Sequence, residues 1–291
     1  MSSRTRPPLR YFGSKFRLAR KLLPYFPPHD QYGEPFGGSG SVLLHKPRSR
    51  VEIYNDLDDD LVNLFRVLRQ PGPAAKLTDQ LRLTPYSRSE FVAAYVHTDE
   101  PVERARRMIV RSFMGHSSIG TRIDRTTGFR ACNPAAHGDP AKSWATYPDA
   151  LQGIIERIRG VSIEQLPALD LIAQRDGRGV LWYVDPPYVH STRSEKTTRA
   201  APSAGYRHEL SDADHVALLE TLLRADGMVI LSGYHHPIYA DMLSGWEVVE
   251  LEALAEGGSP RTEVLWINPA ATRARAGAAV ARPADLFGVD A

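Results

Sequence analysis

Residues 177–193 read GRGVLWYVDPPYVHSTR, in which the five apolar or aromatic residues Val180 to Val184 run straight into an acid, two prolines and a tyrosine. A short apolar run bounded by glycine and proline has the form of a strand buried on both faces. Proline has no N–H to give a ladder, so the strand stops at Pro186 and Pro187. The carbonyls of Asp185 and Pro186 are then free to accept from another partner, with a carboxylate and an aromatic ring beside them. In an open α/β sheet, the carboxyl ends of the strands are where ligands gather.

Similar stretches flank this one. RVEIYND (50–56) reads as a strand and DDLVNLFRVLR (59–69) as a helix, with Leu61, Leu64, Phe65 and Leu68 at helical spacing. SDADHVALLETLLRA (211–225) is a helix capped by Ser211, with Val216, Leu219, Leu222 and Leu223 on its apolar side. GMVILSGY (227–234) is a further strand, and residues 246–254 and 261–268 form a closing antiparallel pair. The alternation predicts an α/β sheet flanked by helices. Residues 61–149 differ: helical signals give way to a Gly-, Thr-, Asn- and Pro-rich stretch, and arginines cluster at 104, 106, 107, 111, 122, 125 and 130. The expected organisation is a discontinuous catalytic domain (1–60 and 150–270), an inserted, mainly helical, basic module (61–149) and a flexible tail (271–291) rich in Ala, Arg and Gly.

Composition bounds the function classes. A chain of 291 residues with 42% apolar content can bury a large core, and a formal charge of +2 requires any basic surface to be local. The single cysteine, Cys132, excludes an intrachain disulfide and a cysteine-based zinc site, in keeping with a reducing compartment. No apolar run is long enough to span a bilayer, and the first residues lack the apolar core of a secretion signal, so a cytoplasmic protein without membrane contact is expected.

Two further stretches would meet Asp185 at the sheet edge. EPFGGSGSVLL (34–44) is a glycine turn leading into a helix, spaced neither as a dinucleotide fingerprint nor as a P-loop, which argues against a nicotinamide oxidoreductase. In IYNDLDDD (53–60), Asp56 ends a strand where a carboxylate can accept both hydroxyls of a ribose. Asp58, Asp59 and Asp60 read as a solvated helix start, at least two of them. The Asp185 carboxylate, the Pro186 carbonyl and the Tyr188 ring suit a flat heterocycle with an exocyclic amine: the acceptors take its N–H bonds and the ring stacks on it.

Taken in order, RYFGSKFRLA (10–19), PFGGSG (35–40) and DPPY (185–188) resemble the signatures of Dam-type DNA adenine methyltransferases, supported by TPYSRSEF, RSFMG, TGFR, ILSGYHHPIY and RTEVLWINP across residues 8–269. The resemblance implies a Rossmann-like methyltransferase sheet, S-adenosylmethionine as cofactor and double-stranded DNA as substrate. It implies cofactor contacts at Tyr11, Lys15, Phe36, Gly38, Gly40, Asp56 and Asp185, and catalytic roles for Asp185, Pro186 and Tyr188, with no metal. The residue reading the cofactor's adenine is expected near 164–166. Candidate DNA contacts are Arg111, Arg122, Arg125 and Arg130, either on guanine edges or on phosphates. The family's D-x-N is Asp56-Leu57-Asp58 here. A cytosine amino-methyltransferase and a catalytically silent DNA-binding relative are the alternatives. Residues 190–206 are expected to form a mobile loop over a flipped base. PADLFG (283–288) resembles sliding-clamp peptides without their leading glutamine, and a monomer or weak dimer is expected.

Overall fold

The computed structural model describes residues 6–116, 121–124, 126–131, 139–189, 206–254 and 260–281. Arg125, Cys132, most of the expected loop over a flipped base and the PADLFG stretch lie outside them.

The strands are β1 (Gln31–Glu34), β2 (Val51–Asn55), β3 (Ser162–Glu164), β4 (Val180–Val184), β5 (Met228–Gly233), β6 (Glu247–Leu254) and β7 (Pro260–Ile267). They form one sheet in the order β3-β2-β1-β4-β5-β7-β6, with parallel pairing from β3 to β5 and antiparallel pairing of β7 with both β5 and β6. The order reverses between β1 and β4, so the carboxyl ends of these neighbours flank a crevice.

The helices in chain order are α1 (Ala19–Leu22), α2 (Ser41–His45), α3 (Asp59–Arg69), α4 (Pro71–Leu83), α5 (Arg88–Ala93), α6 (Pro101–Met114), α7 (Pro140–Ala145), α8 (Tyr147–Ile158), α9 (Ala168–Arg175), α10 (Asp212–Leu223), α11 (Pro237–Met242) and α12 (Pro269–Ala281). Strand alternation sorts their partners. On β4, Leu181 and Tyr183 join the core built with α3, α4, α6 and α8. Val180, Trp182 and Val184 join the opposite core with α9, α10 and α11. The helices between β2 and β3 thus share one continuous core with the sheet, and α3 and α8 straddle the expected module boundaries at 61 and 149.

Two expectations change. Residues 269–281 form α12 rather than a flexible tail: Ala271 is buried and Arg275 pairs with Glu247 at 2.5 Å, so the alanines serve a docked helix. On α10 the buried side is His215, Leu218, Leu219 and Leu222, while Leu223 is exposed. A histidine fits this apolar position because the Tyr239 hydroxyl lies 2.9 Å from its Nδ1. The Ser211 cap forms as expected, as a capping box with Asp214.

Central strand β1 (Gln-Tyr-Gly-Glu) owes its place to one close approach. A Cβ at Gly33 would collide with the ring of buried Trp182 on the neighbouring β4. Gly33→Val should therefore lower unfolding free energy by about 1–3 kcal/mol or more through overpacking, measured by urea denaturation against the wild type.

Candidate active site

Three strand ends and the N-terminal segment converge at the crevice. The turn after β1 holds Gly38 and Gly40 at φ of 50° and 63°, values that a side chain rarely adopts. A Cβ on Gly37 would strike Tyr54, and one on Gly38 would come within 3.3 Å of the Tyr11 ring. The glycines therefore form a close-fitting cradle rather than a simple reversal. Asp56, just beyond β2, is fixed against this turn: its Oδ2 accepts from Gly38 N–H and its Oδ1 from Asp58 N–H, both at 2.8 Å. Burial outweighs these amides and pushes its carboxyl up to about 6.

Lys15 joins the segments. Its Nζ donates to Asp185 Oδ1 at 2.8 Å, lies 3.2 Å from Glu263 Oε1 and also donates to the Tyr188 hydroxyl. That hydroxyl donates in turn to Glu263 at 2.9 Å, and Ser232 donates to the same carboxylate. Desolvation alone would lower the lysine pKa, but the Asp185 and Glu263 carboxylates hold it well above its usual value. Burial raises Asp185 above the ordinary carboxylate range, against the pull of Lys15. Glu34, at the end of β1, accepts from Tyr32 Oη at 2.7 Å and is pushed up to about 7 by burial.

One pocket collects most of these groups. Tyr11, Lys15, Phe36, Gly38, Asp56 and Asp185 all line it. Gly40 shapes the turn behind the pocket, and of the two prolines Pro187 rather than Pro186 faces it. Ala168 lines it as well, whereas residues 164–166 do not: Leu166 is held beside β2 by paired hydrogen bonds with the Asn55 side chain. Among the described residues, no group of His, Cys, Asp or Glu could hold a metal ion, and no helix is long and apolar enough to cross a membrane.

Several expected site residues lie outside the pocket or are engaged by other groups. Tyr188 is no open platform: it is 9% exposed, its hydroxyl is tied to Lys15 and Glu263, and its ring packs on Tyr234 at 4.4 Å between centroids. Arg111 is 2% exposed and donates to the carbonyls of Ala94 and Thr121, so it forms part of the interior. Asp58 and Asp60 are buried and paired with Arg207 at 2.8 and 2.9 Å, leaving only Asp59 solvated. Arg122 is held by Asp124 and donates to the Tyr206 carbonyl. Arg130 is half-buried, away from the pocket, and Arg125 lies outside the described residues.

Sequence reading missed Glu34, Tyr206, Arg207 and Glu263. Glu34 opens the quoted glycine motif, so its position at a strand tip was a usable signal. Glu263 had none, because a glutamate in an alternating strand reads as an ordinary solvent-facing residue.

A family model described as D12 class N6 adenine-specific DNA methyltransferase matches residues 11–224. No curated protein matches the chain. The matched span contains the cradle, Asp56, Lys15 and Asp185, but not Glu263.

The Glu34 carboxyl has a consequence for stability. Its folded pKa of about 7 lies above the unfolded value, so its contribution is complete below the unfolded pKa and is lost as pH rises toward 7. Glu34→Gln should remove a fall on the order of 3 kcal/mol in unfolding free energy between pH 4.5 and 7, measured by denaturant titration at several pH values; an unchanged slope would contradict this assignment.

Proposed function

The chain belongs to the D12 class N6 adenine-specific DNA methyltransferase family and is therefore an enzyme that methylates adenine in DNA, and from that premise we propose that the glycine-cradle pocket, which Asp185 lines, holds S-adenosylmethionine. The observation that carries this reading is the meeting of Asp56, the Gly38 turn and Asp185 in one pocket. The fit is chemical. A buried carboxylate oriented by two backbone amides is an acceptor for ribose hydroxyls, and a glycine turn with no room for a Cβ at Gly37 and little at Gly38 lets main chain approach the ligand. Tyr11 packs against the cradle, and Lys15 orients Asp185 rather than lying on the surface.

The bound cofactor supplies a methyl group already activated by the adjacent sulfonium charge. The chain's residues must solve the other half of the problem. The exocyclic nitrogen of adenine is a poor nucleophile because its lone pair is delocalised into the ring. An ionised Asp185 would accept one N–H of that amine, and the main-chain carbonyl of Pro186, next to the pocket rather than in its lining, the other, which would draw the nitrogen toward tetrahedral geometry and aim its lone pair. Positive charge that develops on the nitrogen during methyl transfer would lie beside Asp185, whose carboxylate would stabilise it. The proton becomes acidic only after transfer, and so no strong base is needed beforehand.

The adenine must leave the duplex to reach this tip, at a cost of a few kcal/mol. Tyr188, its phenol anchored on Glu263, would hold the main chain beside Asp185 in place for it. Arg122, Arg125 and Arg130, in the stretch of sequence between α6 and α7, are the proposed DNA contacts. The adenine description of the family disfavours the cytosine alternative.

Transfer of labelled methyl from S-adenosylmethionine to unmethylated DNA tests the proposal. Asp185→Asn should lower kcat by about 10² or more while the fold persists, with N6-methyladenine as the wild-type product by mass spectrometry. Undiminished transfer in the variant would remove Asp185 from the site. The wild-type rate should also fall on an acid limb above the ordinary carboxylate range, as the buried Asp185 protonates and ceases to accept.

A further inference from the structure

A second cavity, of about 210 Å³, lies beside the first and has the opposite charge character. Arg104, Arg107 and Arg111 stand at i, i+3 and i+7 on α6, a spacing that puts all three on one stripe. This stripe forms one wall, Arg207 reaches in from the segment before α10, and Val96, His97, Thr98 and Ile123 complete the lining. Among the described residues, Asp60 is the only carboxylate lining it. The other acids that pair with these arginines, Asp58, Asp59 and Glu103, stand outside the lining. Four arginines thus line the space; Arg104, Arg107 and Arg207 are ion-paired, and Arg111 is held by carbonyls.

Arg111 is the informative member. Its guanidinium is held by the carbonyls of Thr121 and Ala94 and by no carboxylate, although the residue is 2% exposed. A buried cation without a directly bonded anion is costly, and the Asp60 carboxylate in the same lining offsets only part of that cost, because burial still lowers the arginine's pKa. Burial lowers its pKa to about 10, which still leaves it charged. Guanidiniums converging from two elements offer the planar, forked donors that phosphate oxygens accept.

We propose that this arginine-lined cavity binds a phosphate group, either a backbone phosphate of bound DNA or free inorganic phosphate. Arg207 lines both cavities, so a phosphate held here lies next to the cofactor pocket, across the Asp58 and Asp60 pairs. The inference does not require the cofactor assignment and draws on the DNA reading only for its first source.

The test uses the full chain with two variants, Arg107→Gln and His97→Glu. The second adds an anion at the rim, where the His97 side chain is exposed, without removing a buried contact. Affinity for a fluorescent, arbitrary-sequence duplex is measured by anisotropy over a range of salt concentrations, and thermal stability is measured in inorganic phosphate against chloride at equal ionic strength. For a DNA phosphate, both variants weaken binding several-fold irrespective of sequence and reduce the log–log salt slope by about one. For free phosphate, duplex affinity is unchanged, but phosphate raises the melting temperature of the wild type and not of His97→Glu. Unchanged duplex binding together with no phosphate-specific stabilisation of the wild type overturns the proposal. Loss of methyl transfer in the wild type would instead contradict the function proposed above, and is read in a separate assay.

Discussion

The ammonium of Lys15 is the constraint around which the site is organised. It joins three distant parts of the chain: the segment before the first strand, the tip of β4 at Asp185 and the middle of β7 at Glu263. Burying one cation with two carboxylates costs several kcal/mol in desolvation, and the arrangement holds only if the remaining lone pairs find donors. Tyr188 and Ser232 supply those donors to Glu263. The N-terminal segment is thereby fixed over the sheet edge, and Tyr11, which it carries, is set against the glycine cradle.

The parts of this design that could be read in sequence share a physical reason. β4 and β5 are buried on both faces, so their apolar composition declares them, and proline marks where β4 ends. Asp56 and Asp185 stand at strand tips, where an acid is conspicuous after an apolar run. β1 was not legible as a strand, since Gln, Gly and Glu are poor strand formers. It holds its central place because Gly33 makes room for Trp182 and because Tyr32 and Glu34 satisfy each other. Three-residue β3 is too short to produce a pattern. The roles of Glu263 and Arg207 depend on partners far away in sequence, and the interior position of Arg111 depends on carbonyls from two other loops.

Charge is laid out in two adjoining territories. The strand tips gather Glu34, Asp56, Asp58 and Asp185 around a pocket with Lys15, while α6 turns an arginine stripe toward the neighbouring cavity. The two meet at Arg207, whose guanidinium spans Asp58 and Asp60. The proposed function uses both: a buried acceptor set for a cationic methyl donor and an amine, and donors for a polyanion. The asymmetry is invisible in a formal charge of +2 because the opposing groups cancel in the sum.

The central claim, that Lys15 and Asp185 act as one buried unit, is tested most directly by a double-mutant cycle read by urea denaturation. Lys15→Met leaves two carboxylates without their cation, and Asp185→Asn leaves the lysine with Glu263 alone. The account predicts that the double variant is more stable than the sum of the single losses implies, with a coupling of about 2 kcal/mol or more. Additivity within about 0.5 kcal/mol would show that the two side chains are merely neighbours and would contradict the account.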